Sequence, residues 1–189
     1  MNLDIQKKQK DPVDKDIKFI LELFNSKKFL ETKKEIDKQI LNFPDSPILL
    51  NILGAVLAEL GEINEAIKNY KKAIAINPDY AQAYNNLGVA FYRLKRKDYA
   101  IDNYKKAIKL KGNFFQAISN LGGVMKNIGK LQDAIIFFKE AIKINPDYAE
   151  AYYNLGDAYD ELFDKKKAET NLKKSIEINP NLTDAYNAL

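Results

Sequence analysis

The chain has 189 residues, of which 46% are hydrophobic and 30% charged, and this composition is typical of a folded protein rather than a disordered one. Its net charge of +4 is mild and gives no reason to expect a nucleic-acid partner. The chain contains no Cys and no His, which excludes thiolate nucleophiles, imidazole acid–base catalysis, and zinc or iron sites built on those side chains. We therefore expect no metal and no cofactor, whereas the composition leaves catalysis by carboxylate, Lys, Tyr or Ser open.

The N-terminal part begins with a polar lead, which is followed by two predicted helices. Residues 1–12 are polar and lack the apolar core of a secretory signal, so we expect a frayed lead and a cytoplasmic protein. The stretches KDIKFILELF and FLETKKEIDKQIL within residues 13–46 have helical patterns, and Pro44 marks the end of the second. The segment PILLNILGAVLAEL at 47–60 is the most apolar, but its 14 residues are too few to span a bilayer and predict a buried helix.

From residue 47 onward the sequence repeats every 34 residues, which gives units at 47–80, 81–114, 115–148 and 149–182. Each unit has a Leu–Gly pair near its start, Ala at its twentieth place and, in three of four units, Pro at its thirty-second place. These residues are Leu53, Leu87, Leu121 and Leu155; Gly54, Gly88, Gly122 and Gly156; Ala66, Ala100, Ala134 and Ala168; and Pro78, Pro146 and Pro180, with Gly112 replacing Pro in the second unit.

Each unit contains two apolar stripes with the spacing of an α-helix. In the second unit the stripes are Tyr84, Leu87, Gly88 and Phe91, and then Ala100, Tyr104, Ala107 and Ile108. The small Gly and Ala residues allow two antiparallel helices to approach closely, and Pro ends the second helix. A single hairpin of this length buries too little apolar surface to offset its ordering entropy, so the units are expected to stack on one another.

The period and the recurring Leu, Gly, Ala, aromatic and Pro residues resemble the tetratricopeptide repeat (TPR) family. The resemblance is strong over the four units, and the array is most similar to those of O-linked N-acetylglucosamine transferase-like and bacterial TPR proteins. It implies an all-α fold, namely a right-handed α–α superhelix (TPR solenoid) of helix-turn-helix repeats. It also implies a scaffold for protein–protein interaction.

Both ends depart from the repeat pattern. Residues 13–46 carry Ile20 in place of Gly and Thr32 in place of Ala, and we interpret them as a divergent repeat that caps the N-terminus. The final stretch TDAYNAL at 183–189 begins a further repeat and stops before its Gly. This predicts a truncated repeat and a chain that is a fragment of a longer protein. An alternative is end-to-end self-association through an uncapped C-terminus.

The resemblance also implies that the first helix of each repeat lines, with its inner face, a concave groove that binds a peptide or protein partner. The candidate groove residues are Asn51, Asn85, Asn86, Tyr92, Arg93, Asn120, Lys126, Asn127, Tyr153, Asn154, Asp157, Asp160 and Glu161. Among them Asn86, Asn120 and Asn154 recur once per repeat, similar to the asparagine ladder of the transferase arrays. A carboxamide can hydrogen-bond a peptide backbone, whereas the alternative is that these residues are inherited consensus without a ligand role.

The fourth unit contributes Glu150, Asp157, Asp160 and Glu161 to the predicted groove, which favours a ligand with basic residues there; a merely solvated acidic face is the alternative. The sequence thus predicts a peptide- or protein-binding scaffold without catalysis of its own. The alternative is a substrate-recruiting arm of a larger enzyme, such as a glycosyltransferase, sulfotransferase or hydroxylase, whose catalytic domain lies outside this chain.

Overall fold

A computed structural model of the chain describes residues 11–189, which form eleven α-helices and no strand. The polar lead predicted at residues 1–12 lies outside the described residues as far as residue 10. Of its last two residues, Pro12 is buried, and the carboxylate of Asp11 accepts a hydrogen bond from the hydroxyl of Ser46. The chain divides into two compact units, one ending at Leu94 and the other running from Lys95 to Leu189.

The first unit contains two helical hairpins and a fifth helix. Its helices are α1 (Asp14–Asn25), α2 (Phe29–Asn42), α3 (Pro47–Glu59), α4 (Ile63–Ile76) and α5 (Ala81–Arg93). Helix α3 begins at a strong start signal, because the Ser46 hydroxyl accepts a bond from the Leu49 backbone N–H at 3.2 Å and Pro47 occupies the first turn. Its apolar residues then pack on both sides, against the α1–α2 hairpin and against α4 and α5.

The second unit repeats the same construction. Its helices are α6 (Lys97–Leu110), α7 (Phe115–Asn127), α8 (Leu131–Ile144), α9 (Ala149–Glu161), α10 (Lys165–Ile178) and α11 (Thr183–Ala188). Ile118, Ala141 and Ala151 form a buried cluster that joins α7, α8 and α9. The rings of Phe115 and Tyr148 meet edge to face beside this cluster, with centroids 4.9 Å apart.

In α1, α3, α5, α7 and α9, the residue two positions after the last helical residue has a left-handed backbone. These residues are Lys27, Gly61, Lys95, Gly129 and Phe163, with φ of 58°, 85°, 62°, 79° and 61°. After α9, the N–H of Phe163 bonds to the carbonyl of Asp160 at 2.9 Å, and the N–H of Asp164 bonds to the carbonyl of Tyr159 at 3.0 Å. This arrangement satisfies the last carbonyls of the helix and turns the chain toward the next one.

The second helices end just before the Pro residues, as the sequence indicates. Helices α4, α8 and α10 end at Ile76, Ile144 and Ile178. The Asn that follows each of these residues accepts, through its side-chain oxygen, a hydrogen bond from the backbone N–H two positions further on. Helix α6 ends at the equivalent Leu110 although Gly112 stands where Pro is found elsewhere. The helix therefore ends at this place even without proline, which only favours the same end point.

Glycine sets the distance between the helices of a hairpin. A Cβ added at Gly54 would lie 2.5 Å from Cε1 of Tyr70, and one added at Gly122 would lie 2.8 Å from Cε1 of Phe138. In both hairpins the aromatic ring of the second helix thus rests on the backbone of the first. The absence of a side chain at these places is a packing requirement.

The first hairpin has no glycine at this place, and its two helices approach each other less closely than α3 and α4 do. Ile20 and Ile36 occupy the places held by Gly54 and Tyr70 in the next hairpin, and both are fully buried against Leu49 and Val56. Thr32 is also buried, and its hydroxyl donates to the Lys28 carbonyl at 2.8 Å, so no polar group is left unsatisfied by its replacement of Ala. Two medium-sized aliphatic residues substitute here for one absent and one large side chain.

The longest helices of the described chain have 14 residues, and no helix there has both the length and the apolar composition needed to cross a bilayer.

Two adjacent glycines of α7 are expected to respond oppositely to substitution. Gly122→Ala should lower the free energy of unfolding by about 1–3 kcal/mol, because the new Cβ meets the Phe138 ring. Gly123→Ala meets no atom within 4 Å and should raise it by up to about 1 kcal/mol through helix propensity. Urea denaturation of both variants measures the difference, and equal effects would contradict the close approach at Gly122.

Phe163→Gly is expected to raise the free energy of unfolding by about 0.5–1 kcal/mol, because it removes the strain of a left-handed bulky residue. Phe163 is 87% exposed, so the substitution removes little packing. Gly129→Ala at the equivalent turn should lower the same quantity by about 1 kcal/mol. Thermal or urea denaturation is the measurement, and destabilisation by Phe163→Gly would refute this account of the turns.

Candidate functional site

The first unit contains a pocket of about 380 Å³ between α1, α3 and α5, with α4 beneath it. Leu21 and Phe24 of α1 form one wall. The remaining apolar lining comes from α3 and α5, through Ile52, Ala55, Ala58, Val89 and Ala90. The pocket is open because α3 carries Ala55 and Ala58, where the following first helix α5 has the larger Val89 and Tyr92.

One end of the pocket is bordered by a network of carboxamides. Asn86 Nδ2 donates to Asn51 Oδ1 at 3.0 Å, and Asn86 Oδ1 accepts from Gln82 Nε2 at 3.0 Å and from Asn85 Nδ2 at 3.4 Å. Asn51 Nδ2 also points to the hydroxyl of Tyr80 at 3.4 Å. Of the candidate groove residues, Asn51 and Asn85 are each only 5% exposed. The bond between Asn86 and Asn51 joins α5 to α3, and Asn85 contributes to the network by bonding to Asn86.

The other end is bordered by an ion pair. Arg93 Nη2 lies 2.8 Å from Glu59 Oε1, and Arg93 Nη1 donates to the Ala58 carbonyl at 2.9 Å. The guanidinium therefore caps the C-terminal end of α3 while its charge is balanced by Glu59. The pocket consequently has an apolar floor and a rim without net charge.

Tyr70 reaches the pocket from α4. Its side chain is 3% exposed, and burial raises the pKa of its hydroxyl well above the usual value, with the nearby Arg93 lowering it and Glu59 raising it. Within the described residues no hydrogen-bond partner satisfies this hydroxyl. The phenol is therefore a neutral polar group that lacks a protein partner and is open to solvent from the pocket.

In the second unit, Lys126 of α7 bridges two carboxylates of α9. Its Nζ lies 2.5 Å from Asp157 Oδ2 and 2.8 Å from Glu161 Oε1, and its side chain is 17% exposed. Burial lowers the pKa of Lys126, but the hydrogen bonds that its ammonium donates to Asp157 and Glu161, together with their charges, outweigh burial, so the pKa is raised overall. Part of the acidic face predicted for the fourth repeat is thus neutralised within the protein.

The remaining candidate residues of the second unit have varied surroundings. Asp160 pairs with Lys165 at 2.6 Å, and Asn127 Nδ2 donates to the Gly123 carbonyl at 2.9 Å. Tyr153 is half-buried, and burial together with the charges of Asp157 and Asp184 raises the pKa of its hydroxyl. Asn120 and Asn154 are also half-buried, on α7 and α9. In the first unit, Tyr92 is half-buried on α5.

Of the candidate groove residues, Asn51, Asn86 and Arg93 line the pocket; Leu21, Phe24 and Tyr70 are among the lining residues that the sequence did not indicate. Leu21 and Phe24 belong to the divergent first hairpin, whose sequence predicts only a cap. Tyr70 belongs to the core stripe, and periodicity alone places it inside without showing that its hydroxyl reaches a cavity. The available signal was the pair of small residues Ala55 and Ala58, which share a helical face with the candidate groove residue Asn51.

Comparison with known proteins identifies the family. A family model described as TPR repeat matches residues 44–95 and 126–162, and models described as tetratricopeptide repeat match residues 81–114 and 149–182. The chain belongs to the tetratricopeptide repeat family, and the predicted all-α fold of the TPR-solenoid class is confirmed. No curated protein matches the chain significantly.

Several solved structures are similar over most of the chain. MamA shares 27% identity with a TM-score of 0.67, over 86% of this chain and 95% of MamA. TTC0263, a thermophilic TPR protein of Thermus thermophilus, shares 22% identity with a TM-score of 0.80, over 91% of this chain and 94% of its own. YrrB, described as a TPR protein with an unusual peptide-binding site, shares 23% identity with a TM-score of 0.63, over 95% and 93%. These likenesses describe the fold.

Lys126→Met is expected to lower the free energy of unfolding by about 1–2 kcal/mol, because Asp157 and Glu161 then face each other across one helical turn without a cation. Lys173→Met removes an exposed pair with Glu169 in the same unit and should cost less than about 0.5 kcal/mol. Urea denaturation compares the two, and equal small effects would mean that Lys126 is only a surface residue.

Proposed function

We propose that the protein is a non-enzymatic scaffold that binds an extended segment of a partner polypeptide on the inner faces of its first helices, which are α1, α3 and α5 in the first unit and α7 and α9 in the second. Membership of the TPR family supports an interaction role, and one similar protein, YrrB, is described as having a peptide-binding site. The observation that carries the proposal is the pocket between α1, α3 and α5, which presents apolar surface within a polar rim. A concave site of this kind suits a peptide side chain.

The asparagine column supplies polar contacts to the peptide backbone in this proposal. Its members differ in availability, since the carboxamide of Asn86 already bonds to Asn51 and Gln82. The carboxamide of Asn154 has no hydrogen-bond partner among the described residues, and the residue is half-buried on α9. Asn154 is therefore the member whose ligand contact can be separated from a structural role.

Charge adds a second feature of the proposed ligand. Helix α9 carries Glu150, Asp157, Asp160 and Glu161 without a basic residue, and Lys126 and Lys165 compensate three of these carboxylates in part. Basic ligand residues near α9 would be favoured by the remaining charge.

The proposal includes the division of the chain into a divergent repeat at 13–46, four repeats between 47 and 182, and the beginning of another at 183–189. The cytoplasmic location, end-to-end self-association and the alternative role as a recruiting arm of a larger enzyme stay predictions. The described residues provide no observation that favours the enzyme-arm alternative over a scaffold.

A peptide selected from a random display library against this protein tests the proposal. Asn154→Ala should weaken its binding about threefold to tenfold, as expected for one lost hydrogen bond to the backbone. Asn171→Ala is the matched control, because the Asn171 side chain bonds only within α10, to the Lys167 carbonyl at 2.8 Å. Fluorescence anisotropy of the labelled peptide gives both dissociation constants. Selection of no peptide, or equal affinities for Asn154→Ala and Asn171→Ala, would refute backbone recognition by the column.

A further inference from the structure

The size, charge and polar groups of the pocket in the first unit favour one kind of occupant. This inference rests on the proposed peptide-binding function. Its volume of about 380 Å³ is at the low end of the range of roughly 300–1,000 Å³ for ligand sites. A space of this size suits one large side chain rather than a packed helix. Its walls are apolar, with Leu21 and Phe24 on one side and Val89 on the other.

Electrostatics argue against a charged occupant. The Arg93 guanidinium is 2.8 Å from the Glu59 carboxylate, so neither group offers an unbalanced charge to a ligand. The carboxamide of Asn86 is bonded to Asn51 and Gln82 at 3.0 Å each. A charged side chain would lose its hydration in this pocket without gaining an ionic partner.

The hydroxyl of Tyr70 is the one feature that distinguishes among uncharged occupants. The residue is 97% removed from solvent, given its 3% exposure, and no described residue satisfies the hydroxyl. Without an occupant, water can reach it through the open pocket. An occupant that displaces this water with an apolar tip would leave the hydroxyl unpaired, and such burial is unfavourable.

We propose that this pocket binds a single aromatic side chain with a polar tip, with tyrosine as the preferred occupant, and that the Tyr70 hydroxyl hydrogen-bonds the tip. The ring of the occupant packs on Ile52, Ala55 and Val89. Its phenol either donates a hydrogen bond to the Tyr70 oxygen or accepts one, through its own oxygen, from the Tyr70 hydroxyl. A neutral tyrosine suits both arrangements, because a neutral phenol is both donor and acceptor.

The experiment titrates the wild-type protein with N-acetyltyrosinamide, N-acetylphenylalaninamide and N-acetyllysinamide. Methyl resonances of Ile52, Ala55 and Val89 in the isotopically labelled protein report binding. N-acetyltyrosinamide should bind about threefold to tenfold more tightly than N-acetylphenylalaninamide, which corresponds to one net hydrogen bond. N-acetyllysinamide should not shift these resonances.

Three variants assign the effect to the pocket. Tyr70→Phe should make the tyrosine and phenylalanine probes bind equally, and it preserves the ring that packs on Gly54; Phe138 occupies the equivalent place in another repeat. Ala58→Phe should abolish binding of both probes by filling the pocket. Ala75→Phe adds the same ring at an exposed position of α4 and should change neither affinity. Thermal denaturation checks that each variant is folded.

Equal affinity of the two aromatic probes for the wild-type protein, or a preference that persists in Tyr70→Phe, would overturn the role of the hydroxyl. Unchanged binding to folded Ala58→Phe would overturn the pocket as the site. Neither result contradicts the proposed function if the library-selected peptide still binds Asn154→Ala more weakly than Asn171→Ala. Failure of that selection together with normal probe binding would refute the scaffold role and leave a site for a small aromatic ligand.

Discussion

The close approach of two helices at a glycine is the constraint on which each complete hairpin depends. A Cβ at Gly54 would stand 2.5 Å from the Tyr70 ring, and at Gly122 2.8 Å from the Phe138 ring, so the ring of one helix lies directly on the backbone of the other. Interiors packed at crystal-like density do not absorb an added methyl group without displacement. In the first hairpin Ile20 and Ile36 pack side chain against side chain, and the two helices lie farther apart. The glycine is therefore what permits the closer approach in the hairpins that carry it.

The close approach of the helices at Gly54 also determines the position of the Tyr70 hydroxyl, the group that we propose contacts a ligand. Because Gly54 has no side chain, the Tyr70 ring lies flat against α3 and its hydroxyl reaches the space between α3 and α5. That space stays open because Ala55 and Ala58 are small and because α1 supplies Leu21 and Phe24 as a wall on one side. A core residue thereby also becomes part of a binding surface. The divergent first hairpin likewise closes the end of the first unit and helps to line its pocket.

Polar contacts between successive first helices form a second layer of specificity above the apolar core. Asn86 bonds to Asn51, Arg93 bonds to Glu59 and to the Ala58 carbonyl, and Lys126 bonds to Asp157 and Glu161. Apolar stripes alone permit sliding along the helix axis, whereas these directional bonds fix one alignment. Their consequence for ligand binding is that charges and carboxamides on the inner face are largely engaged before a ligand arrives. Apolar contact and the few unsatisfied groups are then the main source of selectivity.

The sequence by itself determined the family, the helical fold class and the places where helices approach and end, because these follow from local periodicity and from the presence or absence of a side chain. Gly54 has no side chain and so permits a close approach, and Pro78 restricts the backbone before it and so favours a helix end. Only the tertiary structure decided which predicted groove residues are free to meet a ligand. Asn51 and Asn85 look like Asn154 in the sequence, yet they are buried and bonded to neighbouring side chains. Tyr70 looks like a core residue, yet its hydroxyl faces a pocket. Exposure and hydrogen bonding depend on residues about 30 positions away in the chain, as the bonds from Asn51 to Tyr80 and Asn86 illustrate, and a local pattern does not contain that information.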